Sequence, residues 1–487
     1  MNQSQFDPVG ADVRRLTSKA ECGMRNAESA TSVAGSILGQ ASLPVWRASS
    51  PRSQPGLEAP ETGWKPVPLN RRSFLAAGAV GLAGMAVSTN PLDAASSPRG
   101  KTIALIGTEV RTHSHAQHFI DRFLLGYGWQ GTWRKPDVDL VSLYIDQFPE
   151  GDLARATAKR FNVPLYPSIA EALTRGGPKL AVDGVVIIGE HGKYPKNEKG
   201  QTLYPRFKFF KEVVKVFEAS GRSVPVFNDK HLSTNWQECV EMVEDSRRLK
   251  FPFQAGSSLP VTRRLPAYDL PHNTPMLESV CVAYGGMDSY DIHGLETAQC
   301  MSERRKGGEV GIRRVLALRG AKMWEHLAGR ETTRRLMVSA LTRSHNLPVK
   351  NGYPTDAVTF EWARATFPEG WAYFIEHRDG FHTTLFMFDI RDFNYAGMDR
   401  SGEIHSCQMY LPMPTHGSTT ADFFSPQIRH IERMVVENRQ PYPIERTLLT
   451  SGMTLAGVES FRRGAPVETP EMAVRYKVSG ESWFWRD

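Results

Sequence analysis

From Lys101 to about Pro260, near-continuous apolar runs alternate with stretches of helical spacing. "KTIALIG" and "VDLVSLYID" read as strands buried on both faces, as parallel strands are. "GDLARATAKRFNVPLYPSIAEAL" predicts a helix, a short strand at Val163–Tyr166 and a second helix. "VDGVVIIGEH" is the next strand, and "RFKFFKEVVKVFEASG" a helix that stops at Gly221. "SVPVFNDKH", the capped helix "STNWQECVEMVEDSRRLK" and the strand "FPFQAGS" complete the series. This βα alternation predicts a Rossmann-like, doubly wound parallel sheet over 100–260.

Beyond Pro260 the period changes. "VGIRRVLALRG", "DAVTFEWARATF", "WAYFIEHRDG", "HTTLFMFDI" and "EIHSCQMYLP" read as strands joined mostly by turn residues. "SPQIRHIERMVVEN" and "RTLLTSGMTLAGVESFRRG" then read as helices. Strands followed by helices predict an α+β domain over 261–475 with an open, mainly antiparallel sheet. The class expected for the whole chain is α/β.

The N-terminal part has a different texture. Residues 1–69 are rich in Ser, Pro and Ala without sustained periodicity, which predicts a disordered extension or a start site placed too early. Arg71 and Arg72 precede Ser73-Phe74-Leu75 and a Gly/Ala-rich apolar stretch, with a cleavage site at Asp93–Ala95. Residues 70–95 therefore resemble a twin-arginine export signal, too weakly apolar for a comfortable membrane span. The expectation is a periplasmic or exported protein that meets the twin-arginine translocation machinery.

Composition narrows the partners. At 40% hydrophobic and 23% charged the chain has material for a sizeable core. The net charge of +7 is spread without a basic stripe interleaved with aromatics, so no nucleic-acid partner is expected. Cys239, Cys281, Cys300 and Cys407 are too widely spaced for a zinc site or a dense disulfide framework.

Several landmarks fall in the order of a known family. "ARATAKRFNVPLYPSIAEAL", "VDGVVIIGEH", "NDKHLSTNWQECVEMVEDSRRLKFPFQAG" and "FFSPQIRHIERMVVENRQPYPIERTLLTSGMTLAGVESFRRGAPVETP" resemble segments of the Gfo/Idh/MocA (glucose–fructose oxidoreductase-like) oxidoreductases. The resemblance runs from about Lys101 to Pro470. It implies hydride transfer between NAD or NADP and a sugar, polyol or related carbonyl compound. It also implies an active site between the two domains and a homo-oligomer formed through the C-terminal sheet.

It further implies roles for particular residues. Lys230 matches the lysine of the family's Glu-Lys-Pro motif, with Asp229 in place of Glu and His231 in place of Pro. "YGGMDSYDIHGLETAQC" is similar to the segment carrying the family's Asp/His dyad, which makes His293 the candidate base and Asp288 or Asp291 its orienting carboxylate. Histidine suits that task because its pKa lies near neutrality.

The nucleotide turn departs from Gly-x-Gly-x-x-Gly. Gly107 keeps the bend, but Glu109 and Thr112 stand at the second and third positions, which predicts weakened or altered cofactor binding. Gly107, Thr108 and Thr112 of this turn, Asp146 at the end of the second predicted strand, and Glu190 and His191 after "VVIIG" are the candidate cofactor residues. Asp146 lies much farther from Gly107 than the ~20 residues usual for a ribose-binding acid; "LLGYGWQGTWRKPD" reads as the inserted loop responsible.

His113, His115, His191, His231 and His293 give an unusually histidine-rich set of predicted strand ends. With Glu190 they suit a divalent metal as an alternative to nicotinamide, although no His-Glu-x-x-His spacing assigns ligands. The alternatives to the dehydrogenase are thus a metal-assisted sugar lyase or hydrolase, or a non-catalytic carbohydrate-binding protein on the same fold.

Overall fold

The computed structural model describes residues 100–348, 357–412, 420–480, 482 and 484–486. The 1–69 extension and the 70–95 signal segment lie outside the described residues.

The first half is built on a five-stranded, wholly parallel sheet. Its strands are β1 (Lys101–Gly107), β4 (Val138–Ile145), β5 (Gly184–Ile188), β6 (Val226–Asp229) and β7 (Phe253–Gly256), in the order β4-β1-β5-β6-β7. Helices α1 (His115–Leu125), α2 (Ala154–Phe161), α3 (Ile169–Thr174), α4 (Arg206–Ser220) and α5 (Trp236–Arg248) make the crossovers. Ile103 and Leu105 of β1 pack into one apolar cluster while Ala104 and Ile106 pack into another, which is why the strand is apolar without alternation. The chain leaves β1 toward β4 and returns to β5 on β1's other side. The topological switch point therefore lies between β1 and β5, where open α/β sheets place their ligand crevice.

Two local expectations change. Val163–Tyr166 forms only a single parallel bridge, Leu143 to Leu165. The expected inserted loop is a small hairpin of β2 (Tyr127–Trp129) and β3 (Thr132–Arg134), pinned by the Tyr127 hydroxyl donating to Glu432 Oε1 at 2.6 Å.

The second half carries an eight-stranded sheet, antiparallel except for one pair. Its strands are β8 (Arg264–Leu265), β9 (Met276–Ala283), β10 (Ile312–Arg319), β11 (Trp371–His377), β12 (His382–Met387), β13 (Phe393–Asp399), β14 (Ile404–Met409) and β15 (Val467–Glu468). The order is β15-β10-β11-β12-β9-β13-β14-β8, and only β12 and β9 run parallel. One face receives the fully buried helix α6 (Asp291–Ser302). Val280, Val282, Phe374 and Phe386 on the other face are covered by α7 (Gly320–Leu327), α8 (Glu331–Leu341) and α9 (Phe360–Thr366). Part of the sheet surface expected to meet a second subunit is thus occupied by the chain's own helices.

The α9 segment corrects the strand predicted from "DAVTFEWARATF". Val358, Phe360 and Trp362 alternate like a strand, but the Thr359 side chain accepts from the Trp362 amide and so caps a helical turn. The closing helices α10 (Ser425–Glu437) and α11 (Glu445–Arg463) return to the first sheet. Gln427 Nε2 donates to Gly256 O at 3.1 Å, and Thr447 Oγ1 to Ala255 O at 2.7 Å. All four described cysteines are free and buried. Among the described residues, no helix is long and apolar enough to cross a membrane.

Candidate functional site

The carboxyl ends of β1, β5 and β6 converge on a cleft with a cavity of about 130 Å³. Glu190 and His191 follow β5, and Lys230 follows β6. His115 opens α1, while Tyr290 and His293 come from the start of α6. Leu411, Ala421, Phe423 and Phe424 supply an apolar wall, with the Phe424 ring edge-on to His115 and stacked on His118. A polar floor under an aromatic wall is the usual construction of a small-molecule site.

Lys230 and His293 meet in this cleft. Lys230 Nζ lies 2.6 Å from His293 Nε2 and 3.2 Å from Glu190 Oε1, with the ammonium over the Tyr290 ring. Burial and then the Lys230 charge hold the His293 imidazole well below its usual pKa, so the ring is neutral. An ammonium only donates, so Nε2 accepts and the ring proton sits on Nδ1, which has no partner among the described residues. Burial alone would raise the Glu190 carboxyl. His115, Lys230, His191 and Arg206 outweigh it and hold that group well below the carboxylate range, making Glu190 a fixed anion.

The backbone here is bent into conformations that side chains seldom adopt. Lys230, His191, His113 and Asp288 have φ of 66°, 69°, 64° and 60°. Such positions gather at functional sites because the surrounding fold must enforce them. At Lys230 the enforcing contact is its amide donating to Gly256 O at 3.2 Å.

Neither expected carboxylate orients His293. Asp288 accepts from Gln201 Nε2 at 2.8 Å and lies 3.5 Å from His231 Nε2. Asp291 accepts from the Tyr373 hydroxyl and the Asp288 amide, each at 3.0 Å, and burial pushes its pKa up to about 7. Both acids secure the loop before α6 instead of the imidazole. His231 is structural as well: buried and held neutral by desolvation and Arg206, it accepts from Arg206 Nη1 at 2.9 Å.

The turn after β1 is tied to its neighbours through its backbone carbonyls. Gly107 O and Thr108 O accept from the amides of Asp146 and Gln147 at 3.0 and 2.7 Å, and Val110 O accepts from the Leu153 amide at 2.8 Å. The Thr108 hydroxyl donates to Glu190 O. Ahead of α1, the Arg111 and Gln117 amides go to Ser114 Oγ and the His113 amide to Gln117 Oε1. The Arg111, His113 and Gln117 amides are thus bonded to side chains of the same segment. Glu109 is buried and paired with Arg111 at 2.7 Å, while Thr112 is exposed.

Asp146 is exposed at the end of β4. Both Asp146 oxygens accept tyrosine hydroxyls, from Tyr144 at 2.9 Å and Tyr194 at 2.7 Å. Gln147 clamps the Lys193 backbone from both sides. Glu190 and His191 belong to the cleft itself, and Glu109 does not line it.

Two contributors were not singled out from the sequence. Asp229 is fully buried, with Oδ2 2.8 Å from His115 Nδ1 and Oδ1 without a partner. Glu296, one turn along α6 from His293, accepts from the Ser257 amide at 2.7 Å, and burial pushes its pKa up to about 7. A carboxyl raised in the folded state stabilises the fold while protonated; that stability is complete below the unfolded value near 4.5 and is lost as pH rises through about 7. The effect is on the order of 3 kcal/mol. Glu296→Gln mimics the protonated group, so it is expected to flatten the fall in melting temperature between about pH 4.5 and about pH 7. An unchanged pH slope would contradict this assignment.

No family model and no curated protein matches the chain. Solved structures do. The myo-inositol dehydrogenase of Lactobacillus casei, in complex with NAD(H) and myo-inositol, matches at 11% identity and a TM-score of 0.48, over 76% of this chain and 96% of its own. The myo-inositol 2-dehydrogenase of Lactobacillus plantarum matches at 12% identity and a TM-score of 0.46, over 76% and 99%. A probable dehydrogenase of Thermotoga maritima matches at 11% and 0.45, over 76% and 99%. At these values the likeness concerns the course of the chain and assigns no residue.

Proposed function

We propose that the cleft takes a proton from a hydroxyl-bearing carbon unit of a sugar- or polyol-like small molecule, the acid–base half of an oxidoreductase acting on CH–OH groups. The observation that carries this reading is the 2.6 Å contact between Lys230 Nζ and His293 Nε2 at the switch-point cleft. A substrate hydroxyl placed between the two has an ammonium to polarise its oxygen and a neutral imidazole to accept its proton. Glu190 orients Lys230 through a 3.2 Å contact. Phe423, Phe424 and Tyr290 offer apolar surface to the carbon-bound hydrogens of a ring.

Under the oxidoreductase reading, nicotinamide is the hydride acceptor that the family resemblance implies. The Glu109 carboxylate in the turn after β1 favours a second reading, in which the same pair removes a proton from carbon beside a carbonyl and a leaving group departs without redox change.

One experiment separates the two. The protein is given a panel of sugars, polyols and their keto derivatives in deuterated water, with NAD and NADP present. Reduced nicotinamide appearing without deuterium in the product carbon supports the dehydrogenase. Deuterium entering carbon without reduced nicotinamide supports the elimination. Neither signal from any member of the panel would contradict acid–base chemistry on this class of substrate.

A further inference from the structure

Beside the Lys230–His293 pair, His115, Glu190 and Asp229 bring one ligand atom each to a common point, all within 4.8 Å of one another. They come from the start of α1 and the ends of β5 and β6, so the switch point itself gathers them. His115 Nδ1 lies 2.8 Å from Asp229 Oδ2 and 3.7 Å from Glu190 Oε2. Ligand atoms about 2.1 Å from a tetrahedral ion stand about 3.4 Å apart, and the two distances straddle that value.

The group also carries unmet bonding capacity. Asp229 is fully buried and its Oδ1 has no hydrogen-bond partner; Glu190 Oε2 is a buried atom without one too. Leaving buried carboxylate oxygens unpaired is costly unless something binds them. The other Glu190 oxygen is held by Lys230, which fixes the orientation of the carboxylate.

We propose that His115, Glu190 and Asp229 form a divalent-metal site for a first-row ion of the zinc or manganese class. One imidazole nitrogen with two carboxylates suits these ions better than magnesium, calcium or copper(I). The ion takes the place of the hydrogen bond between His115 Nδ1 and Asp229 Oδ2, with the neutral imidazole binding through Nδ1 and carrying its one ring proton on Nε2. Three protein ligands beside an open cavity leave a coordination position for water or a substrate oxygen, the arrangement of catalytic rather than structural sites. The site shares the cleft of the proposed function and does not depend on the role given to the Lys230–His293 pair.

The test uses the full chain, stripped with chelator and titrated calorimetrically with zinc, manganese and magnesium. The expected result is one zinc or manganese ion per chain, at least 100-fold tighter than magnesium. His115→Ala and Asp229→Asn are each expected to weaken binding at least 100-fold. Because Asp229→Asn alters a fully buried group, the partly exposed His115 supplies the independent variant, with circular dichroism to confirm folding. Cobalt substitution adds a readout on the unaltered protein: visible absorption bands of a four- or five-coordinate ion that disappear in His115→Ala. His293→Ala should keep metal binding even if it abolishes turnover, which separates this proposal from the reading of the Lys230–His293 pair.

A second described group, Asp399, Glu403 and His405, lies at the turn between β13 and β14. Binding abolished by His405→Ala but retained by His115→Ala would overturn the proposal. So would the absence of zinc and manganese binding.

Discussion

Replacing Lys230 by Met or His293 by Ala is expected to lower kcat/KM on the identified substrate by about 10²–10⁴, the range for a lost general acid–base group. Methionine keeps the apolar stem of Lys230 but leaves His293 Nε2 and Glu190 Oε1 without the donor they share. Alanine at 293 removes the lone pair that faces Lys230. Each change breaks the same unit, so the double variant should be about as slow as the slower single one. Losses that multiply would show the two residues acting independently. Single variants with undiminished kcat/KM would remove both from the chemistry.

The largest structural effect is expected from Gly256→Ala. Gly256 ends β7 with φ +112°, a conformation that penalises any Cβ. A Cβ there would stand 2.1 Å from Glu296 Oε1, on a fully buried carboxylate whose other oxygen accepts from the Ser257 amide. The same residue's carbonyl accepts from the Lys230 amide and from Gln427 Nε2, so a shift of β7 disturbs the bend that presents Lys230 and the anchorage of α10. The combined loss is about 3 kcal/mol or more, a fall of roughly 4 °C for a chain of this length. Gly131→Ala is the control: φ is +72°, but nothing lies within 4 Å, so only the backbone penalty of about 1 kcal/mol applies. Equal losses at the two positions would mean that the Glu296 contact is not what Gly256 preserves.

The first sheet was legible because β1 and β5 are apolar on both faces and each connecting helix has a capping residue at one end. Gly221 caps α4 with φ 61°, and Asn235 caps α5 through the Gln237 and Glu238 amides. The second sheet was harder to read. The interior strand β9 has alternate residues in different apolar clusters, Cys281 toward α6 and Val282 toward α8, so it shows no polar face. Helices α7 and α8 do carry an apolar stripe, Met323, Trp324 and Leu327 followed by Leu336, Met337 and Ala340. The turn around Gly329 and Arg330 divides it into two short pieces.

The site was half legible for the same kind of reason. Lys230 and His293 sit in segments whose local pattern resembles a family motif, and the fold brings them together. Asp229 and His115 meet across 114 residues of sequence, and no local spacing announces such a pair. Asp288 and Asp291 lie close to His293 in sequence, neither in the register of the family's dyad, and their surroundings differ. Gln201 and Tyr373, both distant in sequence, claim their oxygens. The departures at Glu109 and Thr112 were visible in the sequence. That two tyrosine hydroxyls donate to Asp146 became visible only once Tyr144 and Tyr194 were placed.

The central claim is that the cleft between β1, β5 and α6 receives a hydroxylated substrate on Lys230 and His293. The most direct test is a crystal structure of the protein with the sugar or polyol that it turns over. The account predicts a substrate oxygen within hydrogen-bond reach of both Lys230 Nζ and His293 Nε2, with the ring against Phe424. Substrate bound elsewhere, with the Lys230–His293 contact undisturbed, would contradict it.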